Sequence, residues 1–570
     1  MHRKCNLGKF LTLLVVFSVF FHAGKINSEE SKRLTGKWLL VGTLPKTPVG
    51  EDSILGLIEL KDEAGNLKAE WKMNGIKPFK GSTVSEIKRT GELLEFKVVG
   101  PVPLDLVFLG ADKKTNLLVG AFKLNSNWFP ATLSTAKDGN IPVLDEELNF
   151  LTKGSDIIRE LMEKTAFADK LALGEKVLKL FPSSPASIKA GTLVSEYALK
   201  DAELDDVKKA VAFQERSLAG FPDVLVRRNL IPTLGAMGRK KVYIEGALIV
   251  LAKVRGDLSA PLEENLALNK LEASLIESVD KNKAADLRLA IDKQESVLDQ
   301  IFLKTSIPFK PIAFEGHKRN SKRIALVELF TGAQCPPCVA ADLAFDALID
   351  SFKSTEVVLI QYHLHIPGPD PLTNPTSEAR GKFYGVRGTP SVFINGQEGP
   401  ALGGYKVHAE DRYTKLREIL EKELAKDGDT KLELAYAKKG EGFELTAKYS
   451  QVLDSSSVVL RFCIIEDLVR YQGRNGQRMH HHVARGFPGG LNGQAVERPN
   501  GSLKAFLSLG ELKAQLTEYL ETSNITRPYP DSERPLDLKK IKAVAILQNA
   551  QSKEILQAVE VELNDLMKPK

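Results

Sequence analysis

The sequence predicts a multidomain protein in which an α/β unit is flanked by β-rich regions and a helical region. Three observations predict this class. The chain has 570 residues, which is too long for one hydrophobic core. Residues 308–427 alternate strand-like and helix-like segments, a pattern that is typical of an α/β sheet. A close pair of cysteines, Cys335-Pro336-Pro337-Cys338, lies where the first strand of that unit meets its first helix.

Residues 1–28 are predicted to be a secretory signal peptide. A basic start at Arg3 and Lys4 is followed by an apolar run from Phe10 to Phe21. No clean small-residue cleavage motif follows, so an uncleaved anchor is the alternative, although the run is short for a membrane span. We therefore expect an exported protein, either periplasmic, attached to the cell envelope or secreted, with no membrane span after removal of the leader.

Charge and cysteine content exclude two classes of protein. Without the four basic residues of the leader, the formal net charge of +6 falls to +2, so we expect no nucleic-acid partner. Beyond Cys5 in the leader, the chain contains Cys335, Cys338 and Cys463. Three cysteines cannot form a disulfide scaffold for a chain of this length, so the close pair has its own chemistry or binds a metal. Cys463 lies in an apolar strand-like run and is predicted to be a buried, inert thiol.

Two β-rich regions are predicted on either side of the centre of the chain. Residues 30–142 contain short alternating runs separated by turn signals such as Gly65-Asn66, which indicates a barrel-like domain. Residues 430–565 contain further alternating or apolar runs. These favour a C-terminal antiparallel β-sandwich packed behind the α/β unit.

An α-helical region is predicted for residues 148–305, because apolar residues recur there at three- and four-residue spacing. Prolines follow the helical runs about every 40 residues, at Pro182, Pro222 and Pro261. This spacing resembles tetratricopeptide-like repeats, which pack as stacked helical hairpins. Such arrays bind partner proteins or simply space domains, and both alternatives stay open.

Residues 308–427 resemble the thioredoxin superfamily in three features. The apolar strand VELFT runs into the CPPC sequence, which opens a helix, and Gly388-Thr389-Pro390 precedes a second apolar strand downstream. Together with the β-rich residues that follow, the chain looks like exported bacterial thioredoxin-like proteins over about residues 308–565. The resemblance implies a thioredoxin fold in which Pro390 is cis and lies against the cysteine pair.

The resemblance also implies a redox role for the pair. Cys335, at the start of a helix, would attack a partner disulfide as a thiolate, because unpaired backbone N–H groups and the helix dipole stabilise negative charge there. Cys338 would resolve the mixed disulfide. The Thr389 backbone beside Pro390 would pair with the extended segment of the substrate.

The chain departs from the common pattern of the family at the pair itself. Gln334 replaces the tryptophan that is usual before the first cysteine. Neither Pro336 nor Pro337 has an N–H to donate, so we predict a modest depression of the pKa of Cys335 and a reductant-like or intermediate potential. Glu328, seven residues before Cys335, is a candidate acceptor for the proton of the second cysteine. The alternative is an exposed carboxylate at the end of a strand.

The histidines offer a competing interpretation as a metal site. His363 and His365 alternate on a predicted strand, and residues 480–482 form a histidine run. No second cysteine pair accompanies them, so we expect no metal and no cofactor, and we assign the histidines to the rim of the site and to packing. The polar residues of the nearby loop are expected to be caps and turn residues: Asp370, Asn374, Glu378 and Arg380.

The leading hypothesis is an exported thiol–disulfide oxidoreductase that exchanges disulfides with thiol- or disulfide-containing proteins of the envelope. The helical region would bind an unidentified protein partner. The alternative is a non-catalytic adaptor on a thioredoxin-like scaffold, whose cysteines form a static disulfide. A metal chaperone is the third alternative. Whether the protein is an enzyme therefore depends on whether the cysteine pair turns over.

Overall fold

The computed structural model describes residues 34–563 apart from internal gaps, so the predicted leader lies outside the described residues. The gaps comprise residues 45–50, 64–65, 75–78, 80, 91–92, 101, 103, 110–116, 125–126, 137–148, 152, 202, 256–261, 317–322, 454 and 532. Within the described part of the chain, no helix is long and apolar enough to cross a membrane.

The N-terminal part is one antiparallel sheet. Its strands are β1 (Gly36–Leu44), β2 (Glu51–Glu63), β3 (Asn66–Asn74), β4 (Thr83–Thr90), β5 (Leu93–Val99), β6 (Leu104–Leu109), β7 (Leu117–Leu124), β8 (Asn127–Thr135) and the short β9 (Asn149–Leu151). The order is β3-β2-β1-β8-β7-β6-β5-β4, with β9 on β2. The two end strands, β3 and β4, contact each other, so the sheet curls round its core. Trp38 is buried there and donates from Nε1 to the Leu34 carbonyl at 2.7 Å.

Helices follow, each packed against the next along most of the region. They are α1 (Ser155–Glu163), α2 (Phe167–Leu180), α3 (Pro185–Asp201), α4 (Leu204–Ser217), α5 (Asp223–Met237), α6 (Ile244–Arg255), α7 (Leu262–Ile276) and α8 (Lys281–Thr305). One apolar core runs through this region from Ile158 to Leu275. Of the prolines that mark the helix ends, Pro182 and Pro222 follow α2 and α4, and Pro261 lies outside the described residues.

The α/β unit begins after residue 322. Its elements are β10 (Ala325–Thr331), α9 (Val339–Ser351), β11 (Val357–His363), α10 (Pro375–Tyr384), β12 (Ser391–Ile394), β13 (Gln397–Glu398) and α11 (Ala409–Leu424). Strand β10 is parallel to β11 and antiparallel to β12. Alternate residues of β10 face opposite sides of the sheet. Val327 and Leu329 pack with α9 and α11, whereas Leu326 and Phe330 pack on the α10 side.

The C-terminal elements are β14 (Lys431–Lys439), β15 (Gly442–Ser450), β16 (Val458–Arg470), β17 (Met479–Gly486), β18 (Gln494–Ala495), β19 (Gly501–Ser508), α12 (Leu509–Thr526), β20 (Ile541–Asn549) and β21 (Ile555–Glu562). Strands β14, β15 and β19 form a separate three-stranded sheet. This small sheet, α12, β16 and β20 share one apolar core.

The expected separate sandwich at 430–565 differs from the structure in one respect. Strands β17, β16, β20 and β21 continue the sheet of the α/β unit, in the order β13-β12-β10-β11-β17-β16-β20-β21. The junction is a parallel pairing of Gln361 on β11 with Val483 on β17. Strand β11 is buried along its whole length, so its second edge needs a partner that satisfies its backbone groups. Strand periodicity predicts that strands exist, but it does not predict which sheet they join.

Candidate functional site

The cysteine pair lies between the end of β10 and the start of α9. Residues Pro336–Cys338 form a single 3-10 turn, for which the fixed φ of proline is suited, and α9 continues from Val339. Cys335 and Cys338 form a disulfide, with their Cα atoms 5.4 Å apart. Cys335 is only 1% exposed and Cys338 is fully buried, whereas Pro337 is exposed. Access to the pair is therefore through Cys335 and the exposed proline beside it.

Thr389 and Pro390 lie against Cys335, and their peptide bond is cis. The Thr389 hydroxyl lies 3.3 Å from Cys335 Sγ and 3.1 Å from the Ile366 carbonyl, so it can donate to either atom. The Thr389 carbonyl lies 3.6 Å from the same sulfur. A second cis bond, between Ile366 and Pro367, lies in the neighbouring loop and was not expected from the sequence.

The backbone N–H groups at the start of α9 already have partners in the structure. The N–H of Cys338 donates to the Cys335 carbonyl, and that of Val339 donates to the Pro336 carbonyl. The N–H of Ala340 donates to the Gly404 carbonyl at 3.2 Å. Because the prolines have no N–H, the Thr389 hydroxyl is the described donor that points at Cys335 Sγ.

Glu328 does not lie beneath the cysteine pair, so the structure corrects the proton role expected for it. Its carboxylate is fully buried and accepts two hydrogen bonds from Arg380, at 2.7 and 2.8 Å, and one from the Tyr384 hydroxyl at 2.6 Å. Both partners belong to α10, on the opposite face of the sheet from α9. Nor is Glu328 an exposed strand-end carboxylate, and Arg380 is a buried ion-pair partner rather than a cap. The strand alternation could have revealed this, since Glu328 has the same parity as Leu326 and Phe330.

Asp342 on α9 is the buried acid that the sequence reasoning missed. Its Oδ1 atom accepts a hydrogen bond from the Thr331 hydroxyl at 2.6 Å and one from Gln361 Nε2 at 3.4 Å. Burial raises the pKa of Asp342 to about 7, although the Thr331 hydrogen bond and the nearby His363 act in the other direction. The available signal was its position four residues after Cys338, one helical turn away.

His363 and Asp370 form a buried pair next to this acid. His363 Nδ1 lies 2.9 Å from Asp370 Oδ2, and its Nε2 lies 3.2 Å from Gln361 Oε1. Burial by itself would raise the pKa of Asp370, but His363 and the N–H groups of Ala333 and Leu372 hold it below its usual value. Asp370 therefore fixes the loop that leads into the cysteines, because it binds the N–H of Ala333 at 2.6 Å.

His365 and His480 each have a hydrogen-bond partner outside the histidine cluster. His365 Nε2 lies 3.1 Å from the Tyr519 hydroxyl, and burial lowers the pKa of His365. His480 lies edge-on to His363 and faces the Tyr471 carbonyl, and burial lowers its pKa to about 3. Among the described residues, no group of three or more metal-ligating side chains is close enough to hold a metal ion.

The loop between β16 and β17 covers the segment that leads into the cysteines. Gln334 donates from Nε2 to the Tyr471 hydroxyl at 3.2 Å and accepts from the N–H of Arg474 at 3.3 Å. The N–H of Asn475 donates to the Ala333 carbonyl at 3.0 Å. A Cβ atom on Gly473 would lie 2.2 Å from that carbonyl oxygen, so only glycine allows this approach. Residue Gln334, where the family has tryptophan, therefore binds this covering loop.

Parts of the first 305 residues also reach the surroundings of the pair. The N–H of Gly404 donates to the Pro337 carbonyl at 2.8 Å. The next residue, Tyr405, packs against the core of the N-terminal sheet. Lys406 donates to the Thr305 carbonyl at the end of α8, at 2.6 Å. The loop at 403–406 thus contacts the cysteine turn on one side and both preceding regions on the other.

Cys463 and Asn374 have roles in packing and capping. Cys463 is buried with Tyr362 nearby, and burial raises the pKa of its thiol far above the ordinary value. Asn374 caps α10, where its side chain accepts from the N–H of Ser377 at 3.0 Å. It also donates to the Ala484 carbonyl of β17 at 2.7 Å, so it ties the α/β unit to the C-terminal strands.

Comparisons with known proteins add little to this geometry. No protein-family model and no curated protein matches the chain. Among solved structures, the chain is similar to HBP35 of Porphyromonas gingivalis, with 14% sequence identity over 43% of this chain and 77% of that chain. The TM-score is 0.31, which is too low to indicate a shared fold.

Proposed function

We propose that this protein is an exported, thioredoxin-like thiol–disulfide oxidoreductase that exchanges disulfides with proteins of the cell envelope. One observation carries the proposal: the Cys335–Cys338 disulfide lies at the start of α9 and faces the cis Thr389-Pro390 bond. A redox pair needs one sulfur that a partner can reach and a second sulfur close enough to resolve the mixed disulfide. The turn Pro336–Cys338 supplies this arrangement.

The topology around the pair supports the thioredoxin-like part of the proposal. The order of elements is β10-α9-β11-α10-β12-β13-α11, and β11, β10, β12 and β13 are neighbours in that order. Helices α9 and α11 lie on one face of the sheet and α10 lies on the other. The order of strands and helices agrees with the order that the sequence predicts.

The exchange proceeds in two steps. In the reduced protein, the Cys335 thiolate attacks a disulfide of the partner, a Cys335–partner disulfide forms, and the displaced partner thiolate takes a proton from solvent. The Cys338 thiol then loses its proton and attacks Cys335. The Cys335–Cys338 disulfide forms, the mixed disulfide breaks, and the second partner thiolate leaves and is protonated. The partner is reduced by two electrons and the protein is oxidised by two.

The surroundings of Cys335 favour a reductant-like or intermediate potential. A strongly oxidising pair requires a well-stabilised thiolate. Here two prolines supply no donor, and the N–H groups of Cys338, Val339 and Ala340 are bound to carbonyls. The Thr389 hydroxyl is left as a donor to the sulfur, and it is shared with the Ile366 carbonyl.

A non-catalytic adaptor is the second candidate, and one observation favours it. Cys335 is 1% exposed, and the loop at 471–478 binds Gln334, the residue before it. A disulfide held under such a cover could be static. In either case, we propose that the helical region, residues 148–305, binds a protein partner in the envelope, and its last helix contacts the loop at 403–406 beside the pair.

Equilibration with glutathione and reduction of insulin test the proposal. We expect a measurable equilibrium for the Cys335–Cys338 couple and catalysis of insulin reduction in the presence of a reductant. The Cys338→Ser variant should trap partners as mixed disulfides through Cys335. As controls, Cys335→Ser should trap no partner, and adding Cys463→Ser to the Cys338→Ser variant should leave trapping unchanged. A couple that neither equilibrates nor traps partners would leave the adaptor as the function.

A further inference from the structure

Three aspartates continue the helical register of Cys338 along α9. Asp342, Asp346 and Asp350 follow Cys338 at successive intervals of four residues. Cys338 already has right-handed helical backbone angles, so the same register includes it. Residues four apart on a helix have Cβ atoms about 5 to 6 Å apart. Side chains on a helix lean toward its N-terminus, so each carboxyl group lies over the turn of the preceding member.

Exposure increases along this series. Asp342 is 3% exposed, Asp346 is 9% exposed, and Asp350 is exposed at the end of the helix. The series therefore runs from the first turn after Cys338 to the surface of the protein. A buried acid on a helix otherwise costs stability, because its charged form is poorly solvated there. One oxygen of Asp342 binds Thr331 and Gln361, so packing accounts for only part of this series.

Each of the two buried acids has an oxygen with no hydrogen-bond partner among the described residues. These atoms are Oδ2 of Asp342 and Oδ1 of Asp346. Buried polar atoms are nearly always hydrogen-bonded, so an unpaired oxygen on each of two neighbouring acids is unusual. Such atoms can accept a proton, directly after a side-chain rotation or through one bridging water molecule.

Burial raises the pKa of both acids and so disfavours their charged forms. Asp342 faces the Thr331 hydroxyl and Gln361, together with the His363–Asp370 pair, and its pKa is raised to about 7 by burial. The pKa of Asp346 is raised well above its usual value, first by burial and then by Asp342 and Asp350. An acid that is neutral, or that changes charge near neutral pH, can hand on a proton without leaving a full charge in the core.

We propose that Asp342 and Asp346 conduct the proton of Cys338 along α9 to Asp350 and from there to solvent. This inference rests on the proposed exchange function and assigns residues to its second step. The Cys338 thiol gives its proton to the carboxylate of Asp342. Asp342 passes a proton to the free oxygen of Asp346, which releases its own proton to the Asp350 carboxylate. The Cys338 thiolate forms the disulfide with Cys335, and the partner thiolate leaves.

A single-turnover reaction with a nitrobenzoate disulfide, whose released thiolate is coloured, separates the two steps. Attack by Cys335 on this probe releases the first coloured thiolate, and attack by Cys338 releases the second. The first release thus reports whether the pair exchanges disulfides at all. A protein that gave no first release would fail the proposed function. Normal first and second releases in every variant would contradict only the proton path.

We expect Asp342→Asn to slow the second release at pH 7 on the order of 100-fold, which is the usual contribution of a positioned proton acceptor. Asp346→Asn should slow it several-fold, although this side chain contacts neither cysteine. In the wild-type protein the second release should accelerate as pH rises through the pKa of Asp342. In Asp342→Asn that acceleration should move to higher pH, where the Cys338 thiol ionises unaided. The control is Glu418→Gln, an exposed acid on α11.

A purely structural role for the acids predicts a different result. Asn is isosteric with Asp and keeps the oxygen that accepts from Thr331, so both variants should fold, which thermal unfolding would verify. If the second release of Asp346→Asn followed the wild-type rate at every pH between the ionisation of Asp342 and that of a free thiol, the proton path would be overturned. A larger solvent isotope effect on the second release than on the first would support it.

Discussion

The hydroxyl of Thr389 and the sulfur of Cys335 lie 3.3 Å apart, although the two residues are 54 positions apart in the chain. The sulfur is at the start of α9 and the hydroxyl is on the cis bond that precedes β12. Because the prolines of the turn give no N–H, this hydroxyl is the nearest described donor for a thiolate at Cys335. The stability of the thiolate therefore depends on a loop from another part of the unit.

The first prediction concerns this hydroxyl. Thr389→Val removes one donor to a charged sulfur and should raise the pKa of Cys335 by about one to two units. Ultraviolet absorbance of the thiolate as a function of pH measures this in the reduced protein. Thr389→Ser keeps the hydroxyl and should leave the pKa near the wild-type value. An unchanged pKa in Thr389→Val would mean that the Ile366 carbonyl holds the hydroxyl proton.

The second prediction concerns the double proline. Pro337→Ala introduces an N–H at a position of the turn that now has none, and this N–H can donate to the Cys335 thiolate. We expect the couple to become more oxidising by roughly 30 to 60 mV, as measured by equilibration with glutathione. Pro400→Ala, outside the turn, is the control. A more reducing couple would contradict the assignment of the prolines to redox tuning.

The third prediction concerns Glu328. Glu328→Gln breaks a buried ion pair and leaves Arg380 uncompensated, so it should lower the free energy of unfolding by about 3 to 5 kcal/mol. Urea unfolding measures this free energy. The control is Asp411→Asn, which breaks the exposed ion pair between Asp411 and Lys415. Both release rates of the folded variant should equal those of the wild type. A slower second release would restore Glu328 to the proton chemistry.

The fourth prediction follows from the raised pKa of Asp342. The group ionises near pH 7 in the folded protein and at its ordinary value of 3.8 when unfolded, so the unfolded state loses its proton first as pH rises. The contribution of Asp342 to the stability of the folded state is present in full below pH 3.8, and it is lost as the pH rises from 3.8 to about 7. Asp342→Asn should thus be more stable than wild type at pH 8, on the order of 4 kcal/mol, and should lose this advantage in acid. Urea unfolding at several pH values measures the difference.

The fifth prediction concerns the loop over the cysteine segment. Gly473→Ala places a Cβ atom against the Ala333 carbonyl, so the loop must move and Cys335 should become more accessible. We expect faster alkylation of Cys335 in the reduced protein. Gly510→Ala, which has ordinary contact distances on α12, is the control. If the oxidoreductase activity also rises, the loop regulates access; if only alkylation rises, the adaptor interpretation gains support.

The sequence predicted those parts of the fold that local patterns determine. The strand before Cys335, the helix after it and the Asn374 cap all depend on neighbouring residues, and periodicity or capping chemistry predicts them. The position of Pro390 against Cys335 came from the resemblance rather than from periodicity. The roles assigned to Cys335, Cys338, Thr389 and Pro390 remain predictions until exchange is measured.

The parts that the sequence did not predict depend on long-range pairing. The buried ion pair of Glu328 could not be predicted from local patterns, because its partner, Arg380, is 52 residues away. Asp342 was overlooked because an acid on an amphipathic helix is expected to face water. The packing of α9 against the sheet and against α11 shows that this face is buried. The helix α12 was likewise missed, and the partner of β11 could not be inferred from strand patterns.

The pairing of β11 with β17 has a consequence for how this protein is made. A ribosome releases the cysteine pair, α9 and β11 well before Val483, the residue that pairs with Gln361. Until β17 emerges, one edge of a strand that is buried along its whole length in the folded protein stays unpaired. A chain shortened at residue 427 would keep that open edge permanently and should aggregate. We therefore expect the cysteine unit and its C-terminal strands to complete their folding together.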